Sequence, residues 1–254
     1  LPALQPVISI ERKGPKVDAP EQAIQGFLKS AGITLDQCEQ RETPKGMVWF
    51  ATSQDQGRPT AEVLTALVPA ALEKLSWAKT MRWGSGRARW VRPIHSLLCV
   101  LDGTVVPTSF HDTPAGAVTR GHRVLACDDI TVGNFTEYRD DLRKAFVMLD
   151  PAERQQVIRD HAAQLAAAQG IAVKPDEALV AENAGLVEWP VPLLGHIDAE
   201  FMDVPGEALS SAMRKHQKYF SLEDKDGHLA SSFVMVADMA TADNGAAIIA
   251  GNER

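Results

Sequence analysis

The chain has 254 residues, a formal net charge of -7, 45% hydrophobic and 23% charged residues, a composition ordinary for a globular protein with a substantial core. No apolar run approaches the roughly 20 residues that span a bilayer, and there is no basic-then-apolar secretory leader. The three cysteines, Cys38, Cys99 and Cys127, are far apart and form no CxxC pair, so neither a disulfide framework nor a zinc knuckle is supported and a reducing cytoplasm is expected.

Leu1–Asp18 is punctuated by Pro2, Pro6 and Pro15 and reads as a connector. A helix follows, with Pro20 near its start, Ile24, Phe27, Leu28 and Ala31 at i, i+3, i+4 and i+7, and Gly32 as its stop. Met47–Ala51 is a short strand, and Gln56-Gly57 turns the chain. From Pro59 a longer helix carries Val63, Leu64, Leu67, Val68, Ala71, Leu72 and Leu75 on one face, which must bury against a sheet. Arg87–Val91, Ile94–Leu101 and Thr104–Phe110 read as strands, with a hairpin at Asp102-Gly103 and a bend or sheet edge at Pro93. Two helices come next. The second has Asp150 as N-cap, Pro151 at its first position and Glu153 completing a capping box. Its buried face is expected to carry Val157, Ile158, His161 and Leu165, with Gly170 as its end. Pro175–Asn183 and Pro205–His216 read as helices; Val191–Leu194, Ile197–Phe201, Tyr219–Leu222 and Phe233–Ala237 read as strands, the last two joined through Asp226-Gly227. This mixture of hairpins and packed helices is α+β with mixed or antiparallel sheets. The chain begins at Leu1 and ends in Ala247–Arg254, the start of an unfinished element, so it reads as an internal piece of something longer.

The chemistry is concentrated in basic clusters. Met81–Arg92 (MRWGSGRARWVR) holds Arg82, Arg87, Arg89 and Arg92 without one acid, interleaved with Trp83 and Trp90. Guanidinium groups pair with phosphate through a rigid donor fork and stack on bases, as indoles do. Two readings stand open here: an RNA surface, or a strand–turn–strand whose arginines pair with some of the 33 acids. Thr119–Arg123 (TRGHR) puts Arg120, His122 and Arg123 around a glycine that lets backbone approach a phosphate. Met213–Phe220 (MRKHQKYF) puts Arg214, Lys215 and Lys218 beside Tyr219 and Phe220, where cations also favour a helix C-terminus. Other chemistries fail on their spacing. Gly84-Ser85-Gly86 begins like a dinucleotide loop, but Arg89 stands where its third glycine belongs. The seven histidines include no HExxH, and no GxSxG marks a nucleophile. His111-Asp112 caps a turn before Pro114.

These clusters resemble the beta subunit of bacterial heterotetrameric glycyl-tRNA synthetase. The resemblance is carried by MRWG at Met81–Gly84, RWVRPIH at Arg89–His95 and TRGHR at Thr119–Arg123. It continues through LVEWPVPLLG at Leu186–Gly195, MRKHQKYF at Met213–Phe220 and GNER at Gly251–Arg254. It covers Trp77 to Arg254 well, and residues 1–76 in general character. Ser96 stands where an aromatic is expected, and Asp238 where the family tends to have Asn. The resemblance implies an assembly of two alpha and two beta subunits that joins glycine to its tRNA. ATP, with Mg, is then used through the alpha subunit, and no cofactor is held by this stretch. The implied partners are the glycine tRNA and the alpha subunit, with no membrane and no DNA. The implied fold is similar to the editing-type module of the phenylalanyl-tRNA synthetase beta subunit, with a lobe over 1–76 and the main module over 77–254. The expected tRNA contacts are Arg82, Trp83, Arg87, Arg89, Arg92, Arg120, Arg123, Lys215 and Lys218; no catalytic or metal residue is expected. Two other roles fit the same family: docking of the alpha subunit, or hydrolysis of mischarged tRNA through His95 or His122 with a nearby acid.

Overall fold

A computed structural model describes residues 1–44 and 46–253, Asp55 through its backbone only; Arg254 of the GNER motif lies outside the described residues. The chain divides into two compact units, Leu1–Gly116 and Ala117–Arg254, whereas the sequence reading places a division after Ser76. Helices and several antiparallel sheets make the architecture α+β, as the sequence predicts.

The first unit opens with strand β1 (Ile8–Lys16), helix α1 (Glu21–Ala31) and strands β2 (Cys38–Thr43) and β3 (Gly46–Asp55), in an antiparallel sheet of order β1-β3-β2. Half of the expected connector is therefore strand. Of its three prolines, Pro2 and Pro6 precede β1, and Pro15 falls where the β1–β3 register shifts between Lys13 and Lys16, so no ladder bond is lost. Helix α1 ends on Gly32 at φ 68, as its pattern predicts. Gly14 is required beneath that helix, because a Cβ there would sit 2.6 Å from the Phe27 ring.

Helix α2 (Thr60–Glu73) follows, held at its start where Thr60 donates its backbone N–H to Ala3 and its hydroxyl to Pro2. Its apolar face is not buried as expected. Val63, Leu64, Val68 and Leu72 are half-buried, and Leu67 and Leu75 are exposed. The reason lies in the next segment, where the predicted central strands break into short pieces instead of a broad sheet. These are β4 (Met81–Arg82), β5 (Arg89–Trp90), β6 (Leu97–Leu98), β7 (Val100–Leu101), β8 (Thr104–Val105), β9 (Ser109–Phe110) and β10 (Thr113–Gly116). The Asp102-Gly103 hairpin is present between β7 and β8, with both turn residues at positive φ, 48° and 79°.

The second unit has the larger core. It contains β11 (Val118–Arg120), β12 (Asp129–Thr131), α3 (Phe135–Lys144), α4 (Pro151–Ala168), β13 (Ala172–Val173), α5 (Glu177–Leu186), β14 (Val191–His196), α6 (Gly206–Ala212), β15 (Phe220–Glu223), β16 (Leu229–Ala237) and α7 (Ala246–Asn252). A sheet of order β13-β15-β16-β14 is buried on both faces. On one side Phe220, Leu222 and Val234 pack with Ile158, Ala162 and Ala166 of α4 and Leu179, Val180 and Ala184 of α5. On the other, Phe233, Met235, Leu193 and Tyr219 pack with Ile248 and Ile249 of α7. Alternation along β16 divides these two sets, since successive residues of a strand point to opposite faces.

Several local expectations need correction. Asp150 caps α4 by accepting from the Ala152 N–H, but Glu153 completes no capping box and pairs with Arg143 at 2.6 Å instead. His161 is exposed; the buried stripe is Ile158, Ala162 and Ala166, where the small alanines let α4 approach α5 and the sheet. The expected strand Ile197–Phe201 is a 3-10 turn over Ala199–Asp203, begun by Asp198 accepting from Glu200 N–H. Helix α6 ends at Ala212 and passes into a π-helical turn, Met213–Gln217, closed by Lys218 at φ 62. Among the described residues no helix is long and apolar enough to cross a membrane.

Candidate nucleic-acid interface

In the first unit, β4 and β5 pair antiparallel with Met81 opposite Trp90 and Arg82 opposite Arg89. The turn between them uses Gly84 at φ 60, so the glycines serve hairpin geometry and not a dinucleotide loop. Arg82, Arg87, Arg89 and Arg92 are all exposed. Among the described residues none of the four makes an ion pair; Arg89 donates to the Thr80 hydroxyl at 3.1 Å and Arg92 to the neighbouring Val91 carbonyl at 2.9 Å. Like charges directly opposite on a hairpin repel, so the Arg82–Arg89 pair leaves unspent positive potential on the surface.

Aromatic packing fixes this hairpin from below. Trp90 meets Phe110 edge-on at 4.9 Å and Trp77 at 5.3 Å; Phe110, which is fully buried, anchors the group. Edge-to-face pairs of this kind contribute beyond their buried area. Trp83 is half-buried, edge-on to His111 at 6.1 Å, so it belongs to the hairpin's support and keeps part of its surface open. His111 and Asp112 form the two-residue turn between β9 and β10, as the sequence predicts.

The other two clusters lie in the second unit, and there most of the cations have partners. Arg120 bonds Asp129 at 2.7 Å across the β11–β12 ladder. Arg214 pairs with Asp176 at 2.5 Å and Lys218 with Glu182 at 2.7 Å. The Arg214 hydrogen bond, foremost, holds the Asp176 carboxyl below its usual range, assisted by the Leu179 N–H that Asp176 caps on α5. Arg123 and Lys215 are exposed and make no ion pair among the described residues.

Arg120 and Arg123 line a polar cavity of about 710 Å³ together with Tyr138, Glu188 and Asp238. The loop carrying them is seated tightly: His122 N–H donates to Ala145 O at 2.8 Å, and a Cβ on Gly121 would lie 2.4 Å from that of Ala145. His122 is buried, with Nδ1 accepting from the Val124 and Leu125 N–H groups, both at 3.2 Å. Its proton is thereby assigned to Nε2, which makes no hydrogen bond and faces Asp238 Oδ2 at 3.5 Å. Asp238 Oδ1 accepts from the Glu188 and Trp189 N–H groups at 2.6 and 3.1 Å. Glu188 lies in the LVEWPVPLLG motif and Asp238 at a position where the family tends to have Asn, but neither they nor Tyr138 carry a local pattern that marks a site; the three come together only through the fold.

The whole chain, residues 1–254, matches the profile of the family described as glycyl-tRNA synthetase beta subunit. The chain belongs to the glycyl-tRNA synthetase beta subunit family. It is 49% identical over 253 residues to the glycine–tRNA ligase beta subunit of Ruegeria sp. (strain TM1040), an alignment covering 98% of this chain and 37% of that protein. It is 48% identical over 258 residues to that of Paracoccus denitrificans (strain Pd 1222), covering 100% and 38%, and 46% identical over 279 residues to that of Rhodospirillum centenum (strain ATCC 51521 / SW), covering 100% and 39%. The chain thus spans well under half the length of these glycine–tRNA ligase beta subunits. Membership bears out the resemblance carried by the basic motifs.

Proposed function

We propose that this chain is a tRNA-binding part of a glycine–tRNA ligase beta subunit, with the hairpin at Met81–Arg92 as its principal phosphate-contacting surface. The observation that carries this reading is the set of four exposed arginines without an acid partner among the described residues, on a rigid aromatic support. Such a set suits a polyanion, since phosphate contacts fix position and supply affinity. Arg120, Arg123, Lys215 and Lys218 act as secondary contacts, Arg123 and Lys215 being free to do so without breaking a pair. Trp83 offers its open edge to an RNA base or sugar. In the complete enzyme the beta subunit holds the glycine tRNA in a cytoplasmic assembly of two alpha and two beta subunits, and the alpha subunit carries out ATP- and Mg-dependent glycylation. The α+β arrangement is proposed to be similar to the editing-type module of the phenylalanyl enzyme's beta subunit, as a statement about fold alone.

Binding of the 254-residue chain to the glycine tRNA and to an unrelated tRNA, measured by fluorescence anisotropy, tests the reading. Arg82→Ala should weaken both tRNAs alike and flatten the salt dependence; equal affinities for wild type and variant remove the hairpin from the RNA surface.

One observation favours a second role. Leu67 and Leu75 at the open face of α2 are exposed, as are Trp77 and Met81 beyond it, and an apolar surface of this kind suits docking of the alpha subunit. Co-purification with the alpha subunit in nuclease-treated extract, abolished by Leu67→Ser, supports that role; retention on Leu67→Ser rejects it.

A further inference from the structure

The cavity in the second unit combines features that a phosphate surface alone does not need. It holds an exposed cation, Arg123, that makes no ion pair among the described residues, and a carboxylate, Asp238, whose Oδ1 is held by two backbone N–H groups. This leaves Oδ2 of the same cavity-lining residue, which lies 3.5 Å from His122 Nε2, without a backbone donor among the described residues. His122 is 2% exposed and locked as the Nε2–H tautomer, so its only unsatisfied atom is aimed at this wall. A fixed carboxylate is the usual partner of vicinal sugar hydroxyls, which need an acceptor that does not rotate away. A guanidinium in the same cavity supplies the complementary phosphate site.

We propose that this cavity is a ribonucleotide-binding site, in which Asp238 Oδ2 accepts from ribose hydroxyls and Arg123 pairs with a phosphate. His122 is a positioning residue: it holds Asp238 and does not touch the ligand. The cavity's volume of about 710 Å³ falls in the range of small-molecule sites and accommodates one nucleotide. The proposal deepens the RNA reading above, because a carboxylate that requires the 2′-hydroxyl distinguishes RNA from DNA. The ligand is a free nucleotide or the terminal nucleotide of an RNA strand; both present the same ribose and phosphate.

The test uses the 254-residue chain with AMP, dAMP and adenosine as probes, observed by saturation-transfer NMR and isothermal titration, followed by competition of bound AMP with a single-stranded oligoribonucleotide. AMP should bind about tenfold more tightly than dAMP, the value of one hydrogen bond to a charged group. Asp238→Ala should abolish that preference, and Arg123→Ala should bring AMP down to the affinity of adenosine. Because Asp238 also receives two backbone N–H groups, Asp238→Asn is run beside it: the amide oxygen keeps those bonds while Oδ2 is lost, so a folded D238N chain must also lose the ribose preference. Displacement of AMP by the oligoribonucleotide assigns a strand terminus as the ligand; no displacement assigns a free nucleotide. Equal affinities for AMP and dAMP, or no binding of AMP by a chain with an unchanged melting curve, overturn the proposal. AMP binding with its ribose preference, in a chain whose tRNA affinity Arg82→Ala leaves unchanged, sinks the hairpin reading and leaves this one standing.

Discussion

The hairpin at Met81–Arg92 and the turn at Met213–Lys218 look alike as strings of basic and aromatic residues, yet their charges meet opposite surroundings. In the turn, α5 runs alongside and supplies Glu182 to Lys218, while its N-cap Asp176 pairs with Arg214. In the hairpin, the register sets Arg82 opposite Arg89, and the supporting side chains are aromatic. A cation that already has a carboxylate must break a bond to reach a phosphate; one that faces another cation gains on meeting it. On the reading proposed above, the hairpin is the surface suited to a polyanion, while in the turn Arg214 and Lys218 are held by α5 and Lys215 alone makes no ion pair among the described residues.

The double variant Arg82→Ala, Arg89→Ala tests the contrast most severely. Its log–log salt slope for tRNA binding should be shallower by about 2, one for each arginine taken away from a phosphate, with the melting temperature unchanged. A stability loss without a change in slope would show the two arginines to be structural. Next in size, Trp90→Ala removes the ring that touches both Trp77 and Phe110; tRNA affinity should fall although all four arginines remain, because their support is gone. In the turn the effects should reverse. Asp176→Ala deletes both the α5 N-cap and the Arg214 pair, and should cost on the order of 1 kcal/mol of stability in urea unfolding with tRNA affinity unchanged.

The pH dependence of that pair has a definite sign. The folded Asp176 carboxyl lies below its ordinary value, so the stability it contributes is fully present above the unfolded carboxylate range and is lost as pH falls below about 4. Urea unfolding between pH 6 and pH 3 should therefore show a steeper acid loss for wild type than for Asp176→Ala; parallel curves would deny the coupling. Smallest of all, Lys215→Ala removes a cation of the turn that makes no ion pair among the described residues. It should reduce the salt slope by less than 1, and a larger effect would move the turn into the interface.

How much of this is legible in the sequence varies with the range of the forces involved. Helix ends with local chemistry, such as Gly32 and Asp150, are readable, and so is the Asp102-Gly103 hairpin. Glu153 is not, because Arg143 competes for it from outside the helix. The open face of α2 is hidden from its own pattern, since burial there depends on a sheet that the succeeding residues do not form. At the hairpin, composition reveals the arginines but not their isolation, which needs the register of β4 on β5. The pairing of Arg214 and Lys218 depends on α5 and its cap more than thirty positions earlier, beyond any local pattern. The Asp238 site is hidden for the same reason: its carboxylate, His122 and Glu188 meet only in the folded chain.

The most direct measurement is a salt titration of glycine-tRNA binding by the 254-residue chain, with an unrelated tRNA beside it. The account predicts measurable affinity at low salt for both, falling linearly in log–log form with similar slopes, as counterion release from phosphate contacts requires. Absence of binding to either tRNA at the lowest salt, from a folded chain, would contradict it.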